Sequence, residues 1–421
     1  MRNIFLLSTL FIHLISFGQI EEVKRITQTL CSSEFHGRGY VNRGDSIASE
    51  FLAAEFQKLG VKPIKKTYFQ GFRHTVNTFP GAMLVRIDQT VLIPGTDFMV
   101  DPSSCGDKRV LNPKRISIET ALDTDKLIAE IKSVINSRLY NSVAFDFAGA
   151  SADTLKKLRS LPEEVAGLLP VIHVTSEKFT WSVGHEQTKF PLMLIRDTAM
   201  QFDKEMHIAI EAKLIENYGS RNVIAYLPAK KKSKKTIVYT AHYDHLGRMG
   251  TNTYFPGAND NASGTAMLLS MAAYFKKNPV DYNVLFIAFA GEEAGLVGSK
   301  HFVENPTFKL KKMSFLLNLD IMGSGEEGVT VVNATLFEKQ FALLQEINKE
   351  KQLLAQVKSR GPAANSDHYW FTQFNVPAFF IYTMGPNKHY HDIFDTYEEL
   401  SFVEYQDITT MLVEFGKRFT K

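Results

Sequence analysis

The sequence predicts an α/β protein: a mixed, mostly parallel sheet flanked by helices on both faces, with a β-rich inserted module. Three observations lead there. From Asn222 onward, short apolar runs alternate with segments of helical spacing. One of those runs, Val284–Ala290, is continuously apolar, as expected of a strand covered on both faces. Between about residues 95 and 215 the rhythm is lost, and it resumes only near Asn222.

Taken in order, the chain opens with Met1-Arg2-Asn3, an apolar stretch from Ile4 to Phe17, then Gly18-Gln19 and the polar Glu21-Glu22. A basic start, a short apolar core and a small residue before a polar region make a secretory signal peptide. Residues 1–18 are therefore expected to be removed and the mature protein exported, to a periplasm or beyond the cell. No later segment reaches the roughly 20 apolar residues of a membrane span. Ile20–Leu30 and Ile47–Leu59 have helical spacing, separated by the turn-rich Gly37-Arg38-Gly39 and Gly44, and Gly60 closes the second helix. Residues 19–94 form the first part of the main domain, 95–215 the inserted module and 216–421 the region with the strongest βα rhythm. Within the module, Ser142–Phe147, Leu169–Val174 and Leu192–Ile195 read as strands and Thr154–Leu161 as a helix.

The later region predicts a strand at Thr236–Thr240, a helix at Ser263–Lys276 and the strand Val284–Ala290. A helix at Leu296–Val303 and a strand at Phe315–Leu319 follow. Val329–Val332, Leu336–Lys351, Asp367–Phe374, Ala378–Tyr382 and a closing helix Phe402–Phe419 complete it. The run Lys230-Lys231-Lys232-Ser233-Lys234-Lys235 reads as a solvated hairpin loop between the strands Val223–Leu227 and Thr236–Thr240. Lys plus Arg total 48 against 45 for Asp plus Glu, a formal charge of +3. That balance argues neither for nor against nucleic acid, and no nucleic-acid partner is predicted. Oligomeric state is left open. The two cysteines, Cys31 and Cys105, are read either as one disulfide, which an exporting compartment permits, or as two free thiols. Neither lies near the residues considered next.

His242, Asp260, Glu292, Glu293, Asp320 and His391 follow strand-like runs, or precede a helix in the case of Asp260. Open α/β sheets bind ligands outside the carboxyl ends of their strands, so these side chains are expected to converge on one edge. Imidazole and carboxylate donors suit Zn²⁺, and a two-metal site needs a shared carboxylate with capping ligands on each side. Asp260 is the natural bridge. One ion takes His242 and Asp320, the other Glu293 and His391. Glu292 is left over, as a carboxylate placed to take a proton from water acidified by the metals. Singly, each residue has a duller reading: a loop histidine, a surface Glu pair, a helix cap. Those readings do not predict that all would meet at strand ends.

The words around these residues resemble the M28 family of zinc aminopeptidases. They are Ala241-His242-Tyr243-Asp244-His245-Leu246-Gly247, Gly257-Ala258-Asn259-Asp260-Asn261-Ala262-Ser263-Gly264, Phe289-Ala290-Gly291-Glu292-Glu293-Ala294-Gly295, Asn318-Leu319-Asp320-Ile321-Met322-Gly323, Ser366-Asp367-His368, and Tyr390-His391 through Asp395-Thr396. The earlier Phe35-His36-Gly37-Arg38-Gly39 is similar to the family's N-terminal segment. The resemblance implies a zinc-exopeptidase fold, two Zn²⁺ as cofactors and a peptide substrate. It further implies that Asp244 fixes the tautomer of His242, that Tyr390 steadies the developing oxyanion, and that the Asp260–Asn261 peptide is cis. Members often carry a protease-associated domain where residues 95–215 lie. Glutaminyl cyclase, a carboxypeptidase-type relative and a relative without catalysis are the alternatives. His245 and His389 are read as local hydrogen-bonders, and His368 is left open between pocket and support.

Overall fold

The computed structural model describes residues 19–421. The signal peptide expected at residues 1–18 lies outside the described residues. Among the described residues no helix is long and apolar enough to cross a membrane.

An eight-stranded sheet organises the molecule. From one edge to the other its strands are Phe69–Thr78, Lys213–Leu227, Asn283–Phe289, Thr236–His242, Phe315–Asp320, Ala378–Met384, Gly328–Val332 and Val357–Ser359. Among these described strands, four of the seven neighbouring pairs are parallel. The first edge strand pairs antiparallel with Lys213–Leu227, and its register shifts between His74 and Val76. Side-chain alternation decides which face each residue covers. In Asn283–Phe289, Val284, Phe286 and Ala288 join one apolar core. Leu285, Ile287 and Phe289 join the core on the other face. Helices at residues 19–30, Gly44–Lys58, Gly264–Lys277, Glu338–Lys351 and Tyr405–Phe419 cover the first face. The shorter helices Val297–Glu304 and His368–Gln373 cover the second.

The lysine run does not close a hairpin. Lys213–Leu227 and Thr236–His242 lie on opposite sides of Asn283–Phe289, which pairs with both. The run is therefore a link across one strand position, with the Lys235 ammonium donating to the Thr420 carbonyl at 2.6 Å. Local pattern shows two strands joined by a short polar loop, but not a third strand from later in the chain inserted between them.

Between Thr78 and Lys213 the chain leaves the main sheet and builds two smaller ones. One has four strands, Thr90–Val91, Met83–Ile87, Met206–Ile210 and Asp107–Leu111. The other has five, Phe98–Val100, Leu192–Arg196, Val171–Thr175, Ser142–Asp146 and Pro113–Ser117, the last four mutually parallel. The first of these sheets takes in residues 83–91, ahead of position 95. Besides Ala152–Leu158, which answers the helix expected at Thr154–Leu161, helices Ile118–Leu122, Thr124–Ile135 and Leu161–Ala166 connect the strands of this part of the chain. Parallel neighbours require such crossovers. Both thiols, Cys31 and Cys105, are free.

Candidate metal centre

The parallel strands of the main sheet end on one side, and the acidic and imidazole side chains cluster there. His242 is the last residue of Thr236–His242, and Asp320 the last of Phe315–Asp320. Glu292 and Glu293 follow Asn283–Phe289 through Gly291, whose φ of +67° favours glycine. Asp260 lies in the turn Ala258–Ser263 that feeds the helix Gly264–Lys277. The Asp260–Asn261 peptide is cis. His391 sits in the loop after Ala378–Met384 with a φ of +58°, an uncommon conformation for a non-glycine residue.

Asp260 is central. Its Oδ1 is 3.3 Å from His242 Nε2, and its Oδ2 is 3.2 Å from His391 Nε2. His242 Nε2 is also 3.4 Å from Asp320 Oδ2, and His391 Nε2 is 3.3 Å from Glu293 Oε2. All four separations exceed the roughly 2.7–2.9 Å of a charge-assisted hydrogen bond. They match the edge of a tetrahedron with corners about 2.0 Å from its centre, roughly 3.3 Å, the arrangement of nitrogen and oxygen donors about zinc. Asp320 Oδ1 is buried without a hydrogen-bond partner, unusual for a carboxylate oxygen. The donor set fits divalent cations.

Electrostatics point the same way. Asp260, Glu292, Glu293 and Asp320 crowd two imidazoles in a buried space, and buried charge is tolerated only when compensated. Burial raises the Glu292 carboxyl well above the usual carboxylate range, and the Glu293 and Asp367 charges add to the rise while His242 opposes it. Burial works against a charged His391, but Glu293 and Asp260 outweigh it and hold the ring up at about 11. Burial would likewise raise Glu293, yet the His391 charge and the bond from His245 pull it down to about 2.

Supporting contacts surround the cluster. His245 is fully buried, and its Nδ1 lies 2.7 Å from Glu293 Oε1, a hydrogen-bond length. The Asp244 carboxylate accepts from the backbone N–H of Glu292 at 3.2 Å and of Glu293 at 3.3 Å, and from the Tyr40 hydroxyl at 3.3 Å. His242 Nδ1 is 3.2 Å from the Asp244 carbonyl and 3.8 Å from its carboxylate. Asp244 therefore meets the imidazole mainly through its backbone, while its side chain anchors the Glu292–Glu293 turn. Tyr390 is half exposed and stacks on His391, ring centroids 3.8 Å apart.

Three residues to which sequence reasoning gave no role also belong here. Arg38 is fully buried and spends its guanidinium on the carbonyls of Tyr243, Leu30, Pro256, Gly257 and Asp260, at 2.6–3.2 Å. The Asp395 carboxylate accepts from the N–H groups of Asn259 and Asp260, both at 3.0 Å. Asp367 is fully buried, and burial pushes its carboxyl up to about 7. Each lay in a quoted motif, so the signal was present. His368 lies apart, lining a cavity of about 180 Å³ with Asn333 and Tyr369. His389 is also outside the cluster, with Nδ1 3.3 Å from Asp392.

Comparison with known proteins agrees with this picture. Residues 222–416 match the family described as Peptidase family M28. Aminopeptidase YwaD of Bacillus subtilis (strain 168) is 39% identical over 126 residues, which cover 30% of this chain and 26% of that protein. An aminopeptidase of Pseudomonas aeruginosa is 35% identical over 188 residues, 43% of this chain and 30% of that protein. The matched segments thus span less than a third of these relatives' own lengths. Two solved structures share the fold across nearly the whole chain. BSAP, a zinc aminopeptidase from Bacillus subtilis, superposes with a TM-score of 0.69 at 20% identity, covering 94% of this chain and 95% of that one. A Peptidase M28 precursor from Shewanella amazonensis SB2B gives 0.65 at 14% identity, covering 96% and 97%. The ordered motif blocks carried on the strand ends of this sheet fall within residues 222–416, the part of the chain that is similar to peptidase family M28.

Proposed function

We propose that this chain is an exported two-zinc exopeptidase that removes N-terminal residues from peptides. The observation that carries the reading is the shared Asp260 carboxylate. Each of its oxygens faces a different imidazole at 3.2–3.3 Å, a spacing suited to donors around zinc and too long for charge-assisted hydrogen bonds. His242, Asp260 and Asp320 would hold one ion, and Asp260, Glu293 and His391 the other. Bound there, the ions would supply Lewis acidity, lowering the pKa of water and polarising a carbonyl.

The chain's own groups supply the rest. Glu292 lies beside the cluster, with His242, Glu292 and Glu293 donor atoms all within 4.8 Å of one another. Its carboxyl is raised by burial, which makes its carboxylate a stronger base than a solvated one. It takes the proton of the attacking water and returns it to the leaving amine. The Tyr390 hydroxyl, on a ring open to substrate, donates to the oxygen on which charge develops. The names of the relatives support peptide substrates for the matched region.

The test is Glu292→Gln with zinc counted. Turnover of an aminoacyl reporter should fall by about 10²–10⁴ with two zinc ions retained. Near-normal turnover at full zinc occupancy would overturn the base assignment. One tightly held ion in place of two would favour a cyclase-like enzyme. Cleavage that requires a free amino terminus, on paired free and blocked peptides, supports the aminopeptidase direction. Equal cleavage of blocked peptides would contradict it.

A further inference from the structure

The loop that carries Tyr390 and His391 is held from outside the main sheet. Its partner is the segment after strand Val171–Thr175, in the part of the chain that builds the two smaller sheets. His391 Nδ1 lies 2.8 Å from the Trp181 carbonyl, and the Trp181 N–H donates to the His391 carbonyl at 2.9 Å. A carbonyl only accepts, so this bond fixes a ring proton on Nδ1. Nε2 is left facing Asp260 and Glu293. Lys178 adds a second clamp. Its ammonium donates to the carbonyls of Lys388 at 2.6 Å and Tyr390 at 2.9 Å, and pairs with the Asp392 carboxylate at 2.9 Å. The two clamps thus bracket residues 388–392.

The clamping segment is itself fixed. The Trp181 indole stacks on Phe255, ring centroids 4.7 Å apart and planes 14° from parallel, and its Nε1 donates to the Val100 carbonyl at 2.8 Å. Phe179, Trp181, Leu246, Met249 and Phe255 share one apolar core with the smaller sheets, and Ile393 packs against it. Phe255 precedes the turn that presents Asp260. The loop needs such support, because His391 has a φ of +58°, which local preference alone disfavours.

We infer that Lys178 is a positioning residue for Tyr390 and His391, and that the segment Lys178–Trp181 makes the smaller-sheet region part of the catalytic apparatus. It sets the imidazole tautomer and the placement of the Tyr390 ring without touching substrate. This inference rests on the metallopeptidase reading. Lys178 is 43% exposed, so its replacement is compatible with folding.

The experiment compares Lys178→Met, Lys178→Arg and Tyr390→Phe, singly and combined, in the full chain. Lys178→Met should lower kcat about tenfold or more with little change in KM, because misplacement of a catalytic group is felt mainly in the transition state. Lys178→Arg should recover most of the loss. In the Tyr390→Phe background Lys178→Met should cost less than in the parent, since the share acting through Tyr390 is already lost and the two changes do not add. Competition with a chromophoric zinc chelator, which needs no turnover, should show one of the two ions held about tenfold more weakly in Lys178→Met. Additive losses with unchanged zinc affinity would overturn the inference and leave Lys178 a surface contact. If instead Tyr390→Phe and Glu292→Gln leave peptide turnover intact, the proposed function fails, and the chelator result still decides whether the clamp orders the His391 side.

Discussion

Arg38 shows how much of a site can depend on one side chain that meets no substrate. Its five N–H donors reach five carbonyls, three of them from Pro256, Gly257 and Asp260 in the turn that presents the shared carboxylate. No other side chain combines that reach with that number of donors, since an ammonium has three. Arg38→Met should therefore destabilise the fold by on the order of 3–5 kcal/mol, with buried carbonyls left unpaired. Arg38→Lys should recover only part of this. Denaturant melts of the two variants decide it, and a Lys variant as stable as the parent would sink the account. Gly37 and Gly39 flank the residue for a steric reason. A Cβ on Gly39 would lie 2.4 Å from the Gly247 Cα, and one on Gly37, at φ +63°, 2.4 Å from the Gly247 carbonyl oxygen. The sequence marked this triplet as a turn. Local pattern alone held no sign that the arginine between the glycines faces inward, because four of its five carbonyl partners lie 205–222 residues away.

Among the elements, the helix Val297–Glu304 is docked by its glycine. Asn222 Nδ2 donates to the Gly298 carbonyl at 2.9 Å, and Asn222 Oδ1 accepts from Ala290 N at 3.2 Å. A Cβ on Gly298 would stand 2.0 Å from the Ala290 carbonyl oxygen. Gly298→Ala should push the helix off the strand end and disturb the turn holding Glu292 and Glu293. We expect a lower Tm together with weaker zinc retention in a chelator titration. Unchanged zinc retention would mean that the turn is positioned by other contacts, such as Asp244. Strands and helices after Asn222 were legible because apolar period and length agree, as in Asn283–Phe289 and Gly264–Lys277. The helix Thr124–Ile135 went unread although its signals are present: Asp123 caps it through the Lys126 N–H, and Leu127, Ile131 and Val134 are buried along one face. Strand order was not legible. Nothing local to Val223 or Thr236 reveals that residues near position 285 separate them. The cluster of acidic and imidazole side chains was readable for the opposite reason, since His242, Glu292, Glu293, Asp320 and His391 end or follow strands and Asp260 precedes a helix.

At the scale of the whole molecule, burial of neutral histidines sets a direction for stability against pH. His173, in the five-stranded sheet, is lowered to about 4 by burial. His74, on the edge strand, is lowered to about 4 by burial and by His185. In the unfolded chain both rings titrate near 6.5. Stability from their neutral form is therefore fully present above about pH 6.5 and is lost as pH falls toward 4, where the unfolded chain binds more protons. At about 1.4 kcal/mol per pKa unit, each ring contributes roughly 3 kcal/mol at most. Tm measured from pH 7 to 4 should fall steeply below 6.5, and less steeply in a His74→Gln, His173→Gln double variant. Equal slopes would remove these rings from the explanation. The two borders of the main sheet carry a different consequence, for the company the molecule keeps. One border strand, Val357–Ser359, is only three residues long. The other, Phe69–Thr78, breaks register between His74 and Val76. Neither offers a long regular row of free amides and carbonyls to a passing chain, so a sheet of this width resists growth into fibrils by strand addition.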